Sequence, residues 1–393
     1  MFQETIPLGR IAGIRIGAHW SVLGTVALFA WILGLQLRGT GSAAFVWPVA
    51  VCAALALLVC LVAHELAHSI VARRRGVRVE RIVLWMLGGT SELRDEPRDA
   101  GADFRIAIAG PATSFVLGVV FAAATAAADA VWPGSAVTAA LAWLAVMNIV
   151  LALFNLLPAA PLDGGRVLRA IVWWRTGDRL RAATIAARSG RLLGTVLVVL
   201  GALDVIVFRQ LGGLWLILLG WFLQTAANSE LAVAGLRHRL GATTVRDVMS
   251  RNPMAVPGDW TIAQLLASDA PYTGYRVFPV VDASGHPTGV LAWSDLTKTA
   301  APARAATTAH SVARALRPAA IAGQDELLAD VATRVVLRPR LDAVAVVDPS
   351  GRLSGLITAT DLTTACDRSA LGLPPGETRH HPSPHVPHRR TQP

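Results

Sequence analysis

Apolar residues run in long, nearly uninterrupted blocks as far as Ala227, and in short alternating runs after Gly241. A bilayer core about 30 Å thick is crossed by about 20 mostly apolar helical residues. Six blocks meet that expectation: His19 to Leu37, Val46 to Ala72, Phe104 to Ala128, Val137 to Leu157, Leu192 to Phe208 and Leu211 to Ala227. The last two are short and almost contiguous, which predicts a tight helical hairpin. No short apolar core with a small-residue cleavage site precedes the first block, so it is expected to stay in the bilayer uncleaved.

Beyond Gly241 short strands alternate with helical stretches, and a soluble α/β region is expected. It contains a repeat: Phe278 to Leu296 (FPVVDASGHPTGVLAWSDL) aligns with Val344 to Leu362 (VAVVDPSGRLSGLITATDL) at an offset of 66 residues. Each copy reads as strand, Ser-Gly turn, strand and a helix opened by Ser-Asp or Thr-Asp. The expected layout is a six-span helical membrane domain over 1–240, repeat domains over 241–300 and 301–368, and a disordered tail over 369–393, where Pro, His and Arg accumulate. His380, His381, His385 and His388 there could chelate metal loosely, but a solvated His-rich tail accounts for them as well.

Composition agrees with a membrane protein: 53% of the 393 residues are hydrophobic and 16% charged, with mean hydropathy +0.50, where an ordinary soluble domain has about 25% charged residues. The formal charge of +10 would suit nucleic-acid binding, but the arginines sit at alternate block ends. Arg10 and Arg15 precede the first block, Arg73 to Arg105 follow the second, Arg166 to Arg191 the fourth, and Arg237 and Arg239 the sixth. The other connections hold only Arg38 and Arg209. The positive-inside rule then places both termini in the cytoplasm, and no nucleic-acid partner is expected. Lys298 is the only lysine, and the arginine and alanine bias points to a high-GC bacterium and its cell membrane. Cys52, Cys60 and Cys366 form no disulfide framework.

The candidate chemistry lies near the end of the second block, at His64-Glu65-Leu66-Ala67-His68. Residues four apart share a helix face, so both imidazoles can bind one Zn²⁺. Glu65, one step round, can take a proton from water that the metal acidifies toward pKa about 7. Ionisable groups within a span cost about 2.5 kcal/mol or more each, which argues against simple filling of a helix end. A third protein ligand is required. Asp163 is the candidate, in a Pro- and Gly-broken segment after the fourth block, at the same membrane level as the histidines; a turn-forming or capping acid is the alternative.

These motifs resemble the site-2 proteases, intramembrane zinc metalloproteases, in the branch that ends in a pair of CBS domains. HELAH at His64 to His68 and NLLPAAPLDGG at Asn155 to Gly165 carry the resemblance. IGAHWS at Ile16 to Ser21, LGGTSEL at Leu87 to Leu93, AGPATS at Ala109 to Ser114 and the repeats extend it over nearly the whole chain. The family's Pro-x-Pro is stretched here to Pro158-Ala-Ala-Pro161. The resemblance implies zinc on His64, His68 and Asp163, with Glu65 as general base. It also implies Asn155 as a donor to the substrate or oxyanion; a packing amide bonded to neighbouring backbone is the alternative. Leu87 to Leu93 corresponds to a re-entrant hairpin that could pair with unwound substrate, or is a cytosolic turn. Gly110 and Pro111 suit close helix approach and a kink, and Trp20 an interfacial anchor.

The implied substrates are single-span membrane proteins, such as membrane-bound anti-sigma factors or signal-peptide remnants. CBS pairs often bind adenine nucleotides and form homodimers. The Gly-apolar-apolar-Ser/Thr-x-x-Asp signature is complete at Gly355 to Asp361, where Thr358 would face phosphate and Asp361 the ribose. In the first copy Ala292 replaces the hydroxyl, leaving Asp295 alone. Both aspartates could instead be helix caps. Two other classes are a CBS-regulated transporter, which would need paired broken helices, and an inactive scaffold, which the intact His-Glu-His-Asp set opposes. A tethered zincin with a downstream glutamate would have to use Glu92 or Glu96, which lie in a Gly/Pro-rich loop.

Overall fold

Long apolar helices begin where Asp or Ser can cap them, and this sets the framework of the N-terminal region. The computed structural model describes residues 6–86, 88–93 and 97–374, so the tail histidines, Leu87 and Glu96 lie outside the described residues. The chain divides into two units, Met1–Ala232 and Val233–Pro393.

The first unit opens with strands β1 (Ile6–Ile11) and β2 (Ile14–Ala18), followed by helices α1 (Ser21–Gln36) and α2 (Ala43–Arg74). Strands β3 (Val79–Trp85) and β4 (Gly88–Leu93) come next, then α3 (Ala100–Val131), α4 (Ala136–Asn155), α5 (Asp163–Thr176), α6 (Arg179–Ile206) and α7 (Gly213–Leu240). Asp99, Ser135 and Asp178 accept the Ala102, Thr138 and Arg181 amides at 2.7, 3.2 and 2.8 Å, capping α3, α4 and α6. Arg73 and Arg74 close α2, where cations suit the negative end of the helix dipole.

Five helices among the described residues, α2, α3, α4, α6 and α7, are long and apolar enough to cross a membrane. The first expected span is the 16-residue helix α1. The expected hairpin is α6 with α7, whose backbones approach through glycine: a Cβ on Gly194 would lie 2.6 Å from the Gly220 carbonyl oxygen. The arginine-rich connection after the fourth block contains helix α5, amphipathic and stopped by Gly177 at φ +69°.

The four strands form one sheet in the order β1-β2-β3-β4. The β1–β2 and β3–β4 pairs are antiparallel, and β2–β3 is parallel. Ile14, Ile16, Ile82 and Leu84 pack with Leu58, Leu61, Val62 and Leu66 of α2, so the sheet rests on the helix carrying the histidines. This leaves β4 as an edge strand beside that helix.

The second unit interlocks two similar sheets. Its elements are α8 (Val245–Val248), β5 (Ser250–Arg251), β6 (Val256–Pro257), α9 (Ile262–Ala267), β7 (Val277–Val281), β8 (Pro287–Ala292), α10 (Trp293–Leu296), α11 (Ala309–Val312) and β9 (Arg314–Ala315). They continue with β10 (Ile321–Gly323), α12 (Leu328–Arg334), β11 (Ala343–Val347), β12 (Leu353–Thr358) and α13 (Ala359–Ala370). The sheet orders are β6-β7-β8-β9 and β10-β11-β12-β5. Strand β5, which precedes the first repeat, therefore completes the sheet of the second. Asp282 and Asp348 occupy equivalent turns, and backbone and serine hydrogen bonds around these turns hold both carboxyls below the usual range. Helix α13 carries order two residues past the expected boundary at 368.

Candidate metal centre

His64 and His68 lie one turn apart on α2, buried, with ring centroids 4.9 Å apart. The His68 Nδ1 meets the Ile106 carbonyl oxygen at 2.6 Å. A carbonyl only accepts, so Nδ1 carries the hydrogen and Nε2 keeps its lone pair. The His64 Nδ1 pairs with Ser114 Oγ at 2.9 Å, which likewise turns Nε2 inward. Such outer partners fix the ring and tautomer of a ligating histidine.

Asp163 opens α5 and reaches the same point. Its Oδ2 lies 3.2 Å from His64 Nε2 and 3.1 Å from His68 Nε2, and the two Nε2 atoms are 3.2 Å apart. Zinc bonds of about 2.0 to 2.1 Å in a tetrahedron separate neighbouring donors by about 3.3 Å, so the triangle has the size that the ion requires. Gly110 of α3 keeps this space clear: a Cβ there would run into both Nε2 atoms, 2.5 Å from that of His64. This is a more specific duty than the close approach and kink expected of Gly110 from the sequence.

The connector before Asp163 is held by α6. The Ala160 amide donates to the Ala186 carbonyl at 3.2 Å, Ser189 donates to the Pro158 carbonyl, and the Leu162 amide donates to Ala159 at 2.9 Å. Gly190 permits the crossing, where any Cβ would strike the Ala160 carbonyl. On α2, Glu65 is buried next to the histidines, and Gly89 of β4 lies against it: a Cβ on Gly89 would be 2.8 Å from the Glu65 Cδ. The edge strand thus runs directly alongside the candidate base.

Asn155 ends α4, where its Nδ2 donates to the Leu151 carbonyl at 3.0 Å. His19 accepts the Ser21 amide through Nδ1 at 3.3 Å, and Ser21 Oγ accepts the Met86 amide at 3.1 Å. The motif around His19 thus ties the β3–β4 hairpin tip to the start of α1, a duty that sequence reasoning did not find.

Sequence reasoning also missed an ion-pair group below the cluster. Asp103, buried in the first turn of α3, receives Arg169 Nε and Nη2, both at 2.9 Å, and Arg166 Nη2 at 3.4 Å. Arg169 Nη1 also meets Glu230 of α7 at 3.2 Å. The only signal in the sequence was an acid at the start of a span.

In the second unit the two signature aspartates differ. Asp361 Oδ2 accepts the Thr358 amide and hydroxyl, both at 2.8 Å, capping α13. Asp295 is 4% exposed; it caps α10 through the Ala292 amide at 3.1 Å and is bound by Arg314 at 2.8 Å. Strand register puts Ser250 opposite Leu356 where Arg314 stands opposite Val290, so a serine takes the arginine's place in the second repeat, with Arg251 one residue on, opposite Gly355.

A membrane domain with a buried His-Glu-x-x-His helix and a converging aspartate, followed by paired repeats, defines a membrane-embedded metallopeptidase with a C-terminal CBS pair. The model of peptidase family M50 matches residues 52–131 and 126–197, and the CBS domain model matches 245–301 and 313–368. Rip3 of Mycobacterium tuberculosis is 38% identical over 376 residues, 95% of each chain. Zinc metalloprotease MJ0392 of Methanocaldococcus jannaschii is 29% identical over 92% of this chain and 96% of its own. A solved site-2 protease from that organism is 31% identical, covering 57% of this chain and 94% of its own, with a TM-score of 0.39. The chain belongs to peptidase family M50 and is a zinc metalloendopeptidase of the site-2 protease type.

Proposed function

We propose that this protein cleaves the transmembrane segments of single-span membrane proteins, with His64, His68 and Asp163 holding one zinc ion and Glu65 acting as general base. The convergence of three donor atoms within 3.1 to 3.2 Å beside Glu65 carries the reading. Zinc bound there supplies Lewis acidity and lowers the pKa of water toward about 7. Glu65 accepts the proton from the attacking water and returns it to the leaving amine. A transmembrane helix hides its carbonyls in its own hydrogen bonds, so the substrate must unwind. Among the described residues β4 is an edge strand, and its position beside Glu65 supports capture of that unwound strand by backbone pairing. Asn155 is the candidate oxyanion donor, after its amide turns from Leu151.

The substrates are regulators such as anti-sigma factors, or signal-peptide remnants. The host is a bacterium, the site is its cell membrane, and both termini are cytoplasmic. Helix α1 serves as a sixth span, its 16 residues extended by its flanks. Protein reconstituted in vesicles should cut a single-span substrate near the cytoplasmic face, stop on chelation and resume with zinc. Cleavage that persists in the chelated protein would refute this reading.

The CBS pair, which supports homodimer formation, takes one adenine nucleotide at the second repeat through Thr358 and Asp361. Arg314 already occupies Asp295 of the first. Nucleotide at 100 times its Kd should stabilise the full-length protein by about 2.7 kcal/mol. Asp361→Ala should remove this gain and Asp295→Ala should not, as read by thermal unfolding; equal loss in both would contradict the one-site reading.

A further inference from the structure

We propose that Asp103, Arg166 and Arg169 form a clamp that positions the metal-binding carboxylate of Asp163. The inference rests on Asp163 being the third zinc ligand. Asp103 has 1% of its surface exposed, and burying a carboxylate that deep is costly unless it is paired and hydrogen-bonded. Its partner is a two-point fork: Arg169 Nε and Nη2 each lie 2.9 Å from a different oxygen. A fork fixes orientation as well as distance. Arg166 adds a third contact at 3.4 Å, and Glu230 balances the second positive charge through Arg169 at 3.2 Å.

The placement of these contacts gives the clamp its role. Arg166 and Arg169 follow Asp163 by one and two turns on α5, so holding them fixes the depth and rotation of the helix that begins with the ligand. On α3, Asp103, Ile106, Gly110 and Ser114 recur at helical spacing on one stripe. Ile106 and Ser114 orient the two histidines, and Gly110 leaves room for the ion. Helix α3 is therefore a template that registers the α2 histidines and, through Asp103, the α5 aspartate. A slip of one residue along a helix moves an atom about 1.5 Å, enough to take Asp163 Oδ2 out of the donor triangle.

The test uses the full-length protein in detergent and reads zinc affinity by chelator competition and the absorption of the cobalt-substituted site. In Asp103→Asn, zinc should bind about ten-fold more weakly, and the cobalt spectrum should move toward that of Asp163→Ala. Arg169→Lys keeps the charge but cannot fork, and it should shift both readouts the same way even if Asp103→Asn fails to fold. Glu230→Gln leaves the fork intact and should keep the wild-type cobalt spectrum. Wild-type affinity and spectrum in folded Asp103→Asn or Arg169→Lys would overturn the clamp while leaving the zinc site standing. A cobalt shift in Glu230→Gln equal to that of Arg169→Lys would also overturn it, since general helix packing would then be the cause. Failure of the wild-type protein to bind zinc would overturn the site itself and the clamp with it.

Discussion

Glu65→Gln is expected to retain stoichiometric zinc and to lose cleavage by a factor of about 10² to 10⁴, the usual contribution of a positioned general base. The amide keeps the size of the carboxylate, and its neighbours need not move: His64 and His68 remain held by Ser114 and the Ile106 carbonyl, and Gly89 still fits against the side chain. What disappears is the ability to accept a proton. Single-turnover cleavage of a reconstituted substrate, measured beside zinc content, separates the two properties. Turnover close to wild type in a zinc-loaded variant would assign the proton transfer to another group.

Asp163→Ala is expected to lose metal and activity together. Two histidines alone leave the ion without its third donor, and the fall in affinity should exceed the roughly 10- to 100-fold typical of changes to outer partners. Helix α5 should persist, because its hold on α3 comes from Arg166 and Arg169 rather than from its first residue. Metal analysis after gel filtration gives the result directly. Stoichiometric zinc in this variant would show that a different acid completes the site.

His64 and His68 were readable because helical spacing alone puts them on one face, and Asp163 because the topology returned it to the same level. The apolar blocks marked every long helix, and the 66-residue offset marked the two sheets before any pairing was known. The β1–β2 hairpin was missed because Ile6 to Ala18 is short and Gly-interrupted, and its stability comes from packing on α2 rather than from local pattern. The parts around the metal were hidden for a related reason. Ser114, Gly110, the Ile106 carbonyl and Asp103 belong to α3, and no local feature shows which of its faces meets α2 or α5. Arg314 was similarly opaque, since its tie to Asp295 depends on strand register across the repeat.

Leu240 at the end of α7, with Val245, Val248 and Met249, shares a core with Leu328, Val344 and Ile357 of the second repeat. Arg237 reaches Asp330 at 3.1 Å, and β5 pairs with β12. The end of α7 therefore packs in the core of the second repeat, although the first repeat comes next in the chain. Leu362, next to Asp361, belongs to the core that holds Leu240, whereas Leu296, next to Asp295, belongs to the other core. A chain ending after Ala315 would keep a complete first sheet and still leave the α7 extension with no socket to pull against.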